Sequence, residues 1–381
     1  NRTGSNDYAM YYADLCYEQY TGSVCTGGKG DDDCLCRVYS KGKELEMEEK
    51  NKAVSASRPA SIFAKMPTIN KTFLAFLFLF VLSSLLFRDK HFLSVENSMN
   101  ILLKASKNGG LLALGMSFVI LCGEIDLSVG AVFALSGVVM GLVGEQNPYL
   151  GIFAGIMVGV LTGAMISFMV CKMRISSWIA SLSMLFALRG MVQILARKSV
   201  AIKNPVLLFA KAKLFSNLIP GFSGGISLLV LFFFVFFFLC KYLAENTKFG
   251  MRLYASGGNA EAAKLMGIEV KKVKTLSFLL SGFIAALSGV FLASSSGSAT
   301  LSAGNLYETY AIAMCAIGGI QLSGGQGKFT GTFFGILIYY IINTLFTYLP
   351  STISVHWQSI IMGILVILSV AMQSEIFHKK K

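Results

Sequence analysis

The stretch Lys241-Tyr-Leu-Ala-Glu-Asn-Thr-Lys-Phe-Gly-Met-Arg-Leu-Tyr-Ala-Ser-Gly-Gly-Asn-Ala-Glu-Ala-Ala-Lys-Leu-Met-Gly-Ile268, with the basic run that follows it to Lys274, separates two long apolar segments. A polar piece of this size between apolar runs marks the largest soluble loop of a membrane protein. Within it Asn259 is placed to cap a short helix, Glu261 suits the first turn, and Ala262, Ala263 and Lys264 favour the body. Gly267 can stop that helix. With Gly257 and Gly258 before it, the sequence predicts a stiff two-turn peg at the membrane face. An ordinary solvated connector is the alternative.

The rest of the chain agrees with a membrane setting. Hydrophobic residues make up 54% of the 381 residues and charged residues 14%, and mean hydropathy is +0.64. Soluble domains carry about a quarter charged residues. Apolar runs fall at 72–87, 109–123, 129–144, 149–171, 178–196, 226–243, 276–293, 306–320, 329–349 and 355–372. They predict an all-α polytopic membrane protein with about ten spans. The transmembrane domain covers 72–373 and includes the polar loop 241–274. Residues 1–46 are polar and acidic, a doubtful or disordered extension. Residues 47–71, from Met47, form a cytoplasmic N-terminal segment, and 374–381 a basic cytoplasmic tail.

Lys65, Lys71, Lys172, Arg174, Lys328, the polar loop and Lys379 to Lys381 share one side if both termini are cytoplasmic. The basic stretch from Arg197 to Lys213 then lies outside, where it would form a lid or ledge. The net charge of +13 thus follows membrane topology rather than nucleic-acid binding. Cys122, Cys171, Cys240 and Cys315 read as small hydrophobes. Cys34 and Cys36, near Cys16 and Cys25, are too closely spaced for the usual zinc pair, and no metal site is expected. Small residues at four-residue spacing (Gly151, Gly155, Gly159 and Gly163, then Ser281, Gly282, Ser288 and Gly289) predict close helix approach.

Residues 123–130, Gly-Glu-Ile-Asp-Leu-Ser-Val-Gly, match residues 318–325, Gly-Gly-Ile-Gln-Leu-Ser-Gly-Gly. Each follows an apolar run and precedes another, which predicts two parallel pseudo-repeats with both turns at the cytoplasmic ends of their helices. Asp126 or Ser128 would cap the next helix, Gly130 would allow close packing, and Asp126, Leu127, Ser128 and Gly130 form a candidate gate. Leu322, Ser323, Gly324 and Gly325, with Gln326, spell the signature motif of ABC ATPase domains. A phosphate loop is missing, since Gly327-Lys328 is followed by Phe329, so this element is read as a turn and not a nucleotide site.

Polar residues within the spans are candidates for a translocation path: Arg189, Gln193, Glu308 and Asn343, with Tyr307 and Thr344 beside them. Glu308 would lie near the outer end of its span. Neutral polar groups and aromatics suit an uncharged, hydroxyl-rich cargo. An ion-coupled secondary transporter or channel is the alternative. His91, His356 and His378 are scattered, and no catalytic set argues for an enzyme.

Three motifs resemble the ribose-type sugar permease family of binding-protein-dependent ABC importers. Residues 257–268, preceded by Arg252 and Tyr254, resemble its Glu-Ala-Ala coupling loop, with Ala260 where Pro is usual. Residues 123–130 resemble its Gly-Ile-Asp-Leu-Ser-Val-Gly signature, with Glu124 in place of Gly and Ala131 in place of a common Ser. Residues 318–327 resemble its Gly-Gly-x-Ser-Leu-Ser-Gly-Gly-x-Gly turn, with Gln321 at the Ser position. The resemblance runs from about Asn97 to the C-terminus. It implies a multi-pass permease subunit of the plasma membrane that takes up ribose or a related monosaccharide. It also implies a homodimer of permeases in the lipid, cytoplasmic ATPase subunits that hold ATP and Mg, and an extracellular solute-binding protein. This chain would itself bind no cofactor. Coupling would fall to Gly257, Gly258, Asn259, Glu261, Ala262, Ala263 and Gly267.

Overall fold

The structure, a computed structural model, describes residues 68–88, 92–214 and 225–348 and isolated positions between 357 and 367. Expectations for 1–46, for most of 47–71, for most of the last apolar run and for the basic tail fall outside these residues. Helices α1 (Thr68–Leu86), α2 (Val95–Lys107), α3 (Gly110–Leu121), α4 (Val129–Gly144), α5 (Pro148–Cys171) and α6 (Ser177–Leu195) come first. A strap follows: β1 (Val200–Ala201), a 3₁₀ helix (Pro205–Lys211), β2 (Lys213–Leu214) and β3 (Ile226–Ser227). Then come α7 (Leu228–Glu245), α8 (Lys248–Gly258), α9 (Ala260–Leu265), α10 (Val270–Ser296), β4 (Ser298–Ala299), α11 (Tyr307–Ile317) and α12 (Phe329–Tyr348).

Helix α10 is the hub. Its apolar window is 72% buried, against 33% for α5 and 28% for α6. It packs on α3, α4 and α5, and small residues bring the helices together. A Cβ at Gly163 would lie 2.5 Å from the Phe278 carbonyl oxygen, and one at Gly159 would overlap that of Gly282. Backbones this close gain dispersion contact that larger side chains would prevent.

Among the described residues five helices, α5, α6, α7, α10 and α12, are long and apolar enough to cross a membrane. Others expected to cross are shorter. Helix α3 has 12 residues, α4 16 and α11 11, where a hydrocarbon crossing takes about 20. Helices α3 and α11 end identically. The Glu124 amide donates to Val119 O at 3.0 Å and the Gly123 amide to Ile120 O at 2.8 Å. Likewise the Ile320 amide donates to Cys315 O at 3.0 Å and the Gly319 amide to Ala316 O at 2.9 Å. This pair of bonds closes a helix over a left-handed residue, and Gly123 (φ 79) and Gly319 (φ 85) supply it. The sequence match paired Gly123 with Gly318, so the structural repeat is offset by one residue. The left-handed glycine fixes the register, while the sequence match followed the side chains beyond it.

Helix α2 lies between the apolar runs at 72–87 and 109–123, where its Lys and Asn residues hide an amphipathic face. The basic 197–214 stretch is fastened rather than loose. β1 pairs antiparallel with β4, Val200 opposite Ala299. The Ala210 amide donates to Ser294 Oγ at 3.0 Å, and Leu207 is fully buried.

Candidate functional site

The polar loop carries two helices, not one. Thr247 accepts the Gly250 amide and starts α8. Asn259 Oδ1 accepts the Ala262 amide at 3.0 Å and starts α9. Gly267, at φ 80, ends α9 with the same pair of bonds that ends α3. Sequence reading missed α8 because the paired glycines at 257–258 look like a turn. The missed signal was Thr247, a capping residue directly before Lys248-Phe-Gly-Met-Arg-Leu.

Helix α9 is anchored by Ala263, which is fully buried, while Leu265 is 90% and Met266 69% exposed. Glu261 and Lys264 pair at 2.8 Å on its outer face. This hydrogen bond and the Lys264 charge hold the Glu261 carboxyl below the usual carboxylate range. An apolar tip thus stands exposed beside a charged pair on α9.

Beneath it α8 sits on both repeat turns. A Cβ at Gly257 would overlap Leu121 O and approach the Gly325 amide nitrogen to 2.7 Å. The Gly325 amide itself donates to Leu121 O at 3.0 Å. A Cβ at Gly324 would lie 2.7 Å from Gly123 Cα. Backbones from α3, α8 and the 318–328 turn therefore meet with no side chain between them. Around this junction the Phe118 ring packs at a tilt against Phe329 (centroids 4.8 Å apart) and Phe249 (6.1 Å). Tyr254 donates its hydroxyl to Gly327 O at 3.0 Å, and Lys274 pairs with Glu124. Leu322 is half-buried, Gly324 buried and Ser323 exposed.

From Glu124 the chain runs without helix to Ser128, along α10. Asp126 is 1% exposed. Its Oδ1 accepts the Ser128 amide at 2.9 Å and hydroxyl at 2.7 Å, and its Oδ2 accepts the Ser281 hydroxyl at 3.2 Å. Ser128 occupies the cap position of α4 but its side chain makes no capping bond. Asp126 thus folds the turn rather than capping the helix with Ser128. Leu127 is half-buried. The Ile125 amide donates to Ser177 Oγ at 3.3 Å, and Ser181 donates to Ile125 O at 3.4 Å. These serines, unmarked in the sequence, satisfy irregular backbone that would be costly in lipid. Ser281 lies seven residues beyond Lys274, about 10 Å further along α10.

That placement corrects the sequence reading of depth. Gly130 was assigned to a cytoplasmic helix end and Glu308 to an outer one, yet they touch. A Cβ at Gly130 would overlap Glu308 Oε2 and lie 2.5 Å from Gly304 O. Helices α3 and α11 are too short to separate the two positions by a full crossing. Arg189 joins this cluster. Its guanidinium donates to Ala303 O at 2.8 Å, Gly130 O at 3.3 Å and Leu301 O at 3.4 Å.

Arg189 and Gln193 line a cavity of about 520 Å³ with Arg197, Leu301, Ser302 and Asn305. Ser302 and Asn305 also line a second, of about 370 Å³, which reaches Lys107 and Asn108. Those two border a third, of about 430 Å³, with Asn97, Lys104 and Thr344. The three form a polar run of amides, hydroxyls and cations at the end of α10 away from the polar loop. Asn343 is half-buried and lines none of them.

Residues 99–370 match the family model described as branched-chain amino acid transport system / permease component. The chain is 37% identical to the ribose import permease protein RbsC of Bacillus subtilis over 300 residues, 78% of this chain and 90% of that one. It is 34% identical to RbsC of Haemophilus influenzae, over 81% of this chain and 94% of the relative. Identity is 28% to the galactose/methyl galactoside import permease protein MglC of Haemophilus influenzae, over 87% of this chain and 99% of the relative. No solved structure matches the chain.

Proposed function

The chain belongs to the branched-chain amino acid transport system / permease component family, and on that premise we propose that it is the membrane subunit of an ATP-driven sugar importer. Ribose or a related monosaccharide is the cargo. The subunit is a multi-pass helical bundle of the plasma membrane, with two parallel repeats and both termini cytoplasmic. Two copies form a homodimer, separate ATPase subunits bind and hydrolyse ATP with Mg, and an external binding protein delivers the sugar. The relatives' names support the import reading, and the ion-coupled carrier gains no support from them.

The observation that carries this reading is the seating of α9. Its apolar tip is exposed for a partner, and its base rests through α8 on both repeat turns at Gly123, Gly257, Gly324 and Gly325. A push on Leu265 and Met266 reaches those turns through backbone contacts, which have no side chains to deform. The turns end α3 and α11, and α4 begins beside Arg189 and Glu308, so the push arrives at the polar cavities. Gln193, Ser302 and Asn305 can hydrogen-bond sugar hydroxyls there. This chain's part is mechanical: it receives a displacement and changes which end of the cavity run is open.

Co-purification with the ATPase and ATP-driven uptake in proteoliposomes test the reading. Glu261→Lys reverses the charge on the docking face. It should abolish ATPase capture and uptake while leaving the melting temperature of the solubilised chain unchanged. Wild-type uptake by that variant refutes the coupling assignment.

A further inference from the structure

We propose that the coupling loop grips the two repeat turns separately, one side chain to each. Lys274 holds Glu124 on the first turn, and Tyr254 holds the Gly327 carbonyl on the second. Glu124, Lys274 and Tyr254 are positioning residues for transport, an inference that rests on the importer reading.

The grip stands on sequence separation and burial. Glu124 and Lys274 are 150 residues apart, and their side chains are only 13% and 24% exposed. The other ion pairs among the described residues, Glu261–Lys264 and Glu269–Lys272, each join neighbours one helical turn apart, and their side chains are more than half exposed. Such pairs contribute little and connect nothing distant. The Glu124 pair is shielded, so removing one partner strands a charge in a poorly hydrated place.

Tyr254 mirrors it on the other turn. Its ring lies on α8 and its hydroxyl reaches 73 residues along the chain. Burial pushes the phenol up to about 12, so it remains the donor across the working pH range. The junction glycines bring the loop into contact with both turns but cannot pull. Contact between backbones resists compression only, whereas an ion pair and a hydrogen bond also resist separation. With both, the loop drives the two turns in either direction of the cycle. Glu124 stands where the resembling family usually has Gly, a residue that could not form this arm.

The test uses the complete importer, with its ATPase and binding protein, in proteoliposomes loaded with ATP. Labelled ribose is the probe, or the monosaccharide that the wild-type complex imports. Glu124→Gln and Lys274→Met should each lower the sugar imported per ATP hydrolysed by about tenfold, with ATPase capture retained because the α9 tip is untouched. Tyr254→Phe, which deletes one hydroxyl, should lower it by about two- to tenfold. Lys272→Gln on the exposed pair should leave it unchanged. The reversal Glu124→Lys with Lys274→Glu should restore the ratio to within about threefold of wild type. Restoration would not follow from loss of packing alone. Normal ratios in Glu124→Gln and Tyr254→Phe overturn the grip, as does a reversal no better than the single variants. A wild-type complex without ATP-driven uptake overturns the importer reading, and the grip as a transport device with it.

Discussion

Two adjacent glycines should respond oppositely to the same methyl group. Gly257 lies in α8 with its Cα against Leu121 O. A Cβ there would overlap that oxygen and stand 2.7 Å from the Gly325 amide nitrogen, whereas one at Gly258 meets nothing within 4 Å. Neither has positive φ, so backbone strain does not enter. Gly257→Ala must either push α8 off the junction or break the Gly325 amide bond to Leu121 O. Overpacking of this kind costs about 1–3 kcal/mol. If transport needs α8 seated, that energy is a loss of about five- to 150-fold in uptake. Gly258→Ala should be neutral or slightly stabilising, since Ala exceeds Gly in a helix by about 0.5–1 kcal/mol. ATP-driven uptake in proteoliposomes reads the first effect, and thermal melting in detergent reads the second. Equal behaviour of the two variants in both assays would refute the backbone junction as the route of force.

Three further outcomes follow from the site. Asp126→Ala leaves the Ser128 amide and hydroxyl and the Ser281 hydroxyl unpaired, at about 1–3 kcal/mol for each buried donor; it should melt well below Ser281→Ala, and equal melting points would remove Asp126 from its place in the turn. Arg189→Lys should not replace Arg189, because one ammonium cannot serve Ala303 O and Gly130 O as a planar guanidinium does; uptake by Arg189→Lys close to that of Arg189→Met is the expected result, and wild-type uptake the contrary one. Glu261 has a depressed folded value, so its pairing with Lys264 is fully present above the ordinary carboxylate range and is lost only as pH falls through the lowered value; ATPase capture should therefore be flat between about pH 6 and 8, and a marked fall within that window would contradict it.

Much of the architecture could be read from residue order because local rules decide it. The α4 boundaries follow from an apolar run bounded by Ser128 and Glu145. The cap at Asn259 and the stop at Gly267 follow from side-chain and backbone preferences that act within a few residues. Helix α8 escaped because its paired glycines favour a turn locally. What holds it as helix is burial of Gly250 and Leu253 beneath the rest of the fold. The one-residue offset in the repeat escaped because a left-handed glycine is a property of backbone angles, and side-chain matching is blind to it.

Sequence alone determined the membrane setting, the helical class, the polar loop and the three motifs, since hydropathy, capping and glycine punctuation are written along the chain. Tertiary structure alone decided that the loop touches both repeat turns, that Gly130 lies against Glu308, that Arg189 serves backbone carbonyls, and that Asn343 stands apart. Those facts depend on which distant segments meet. The meetings are set by close packing of small residues around α10 and by unpaired backbone groups that must find partners wherever the chain loses its helix.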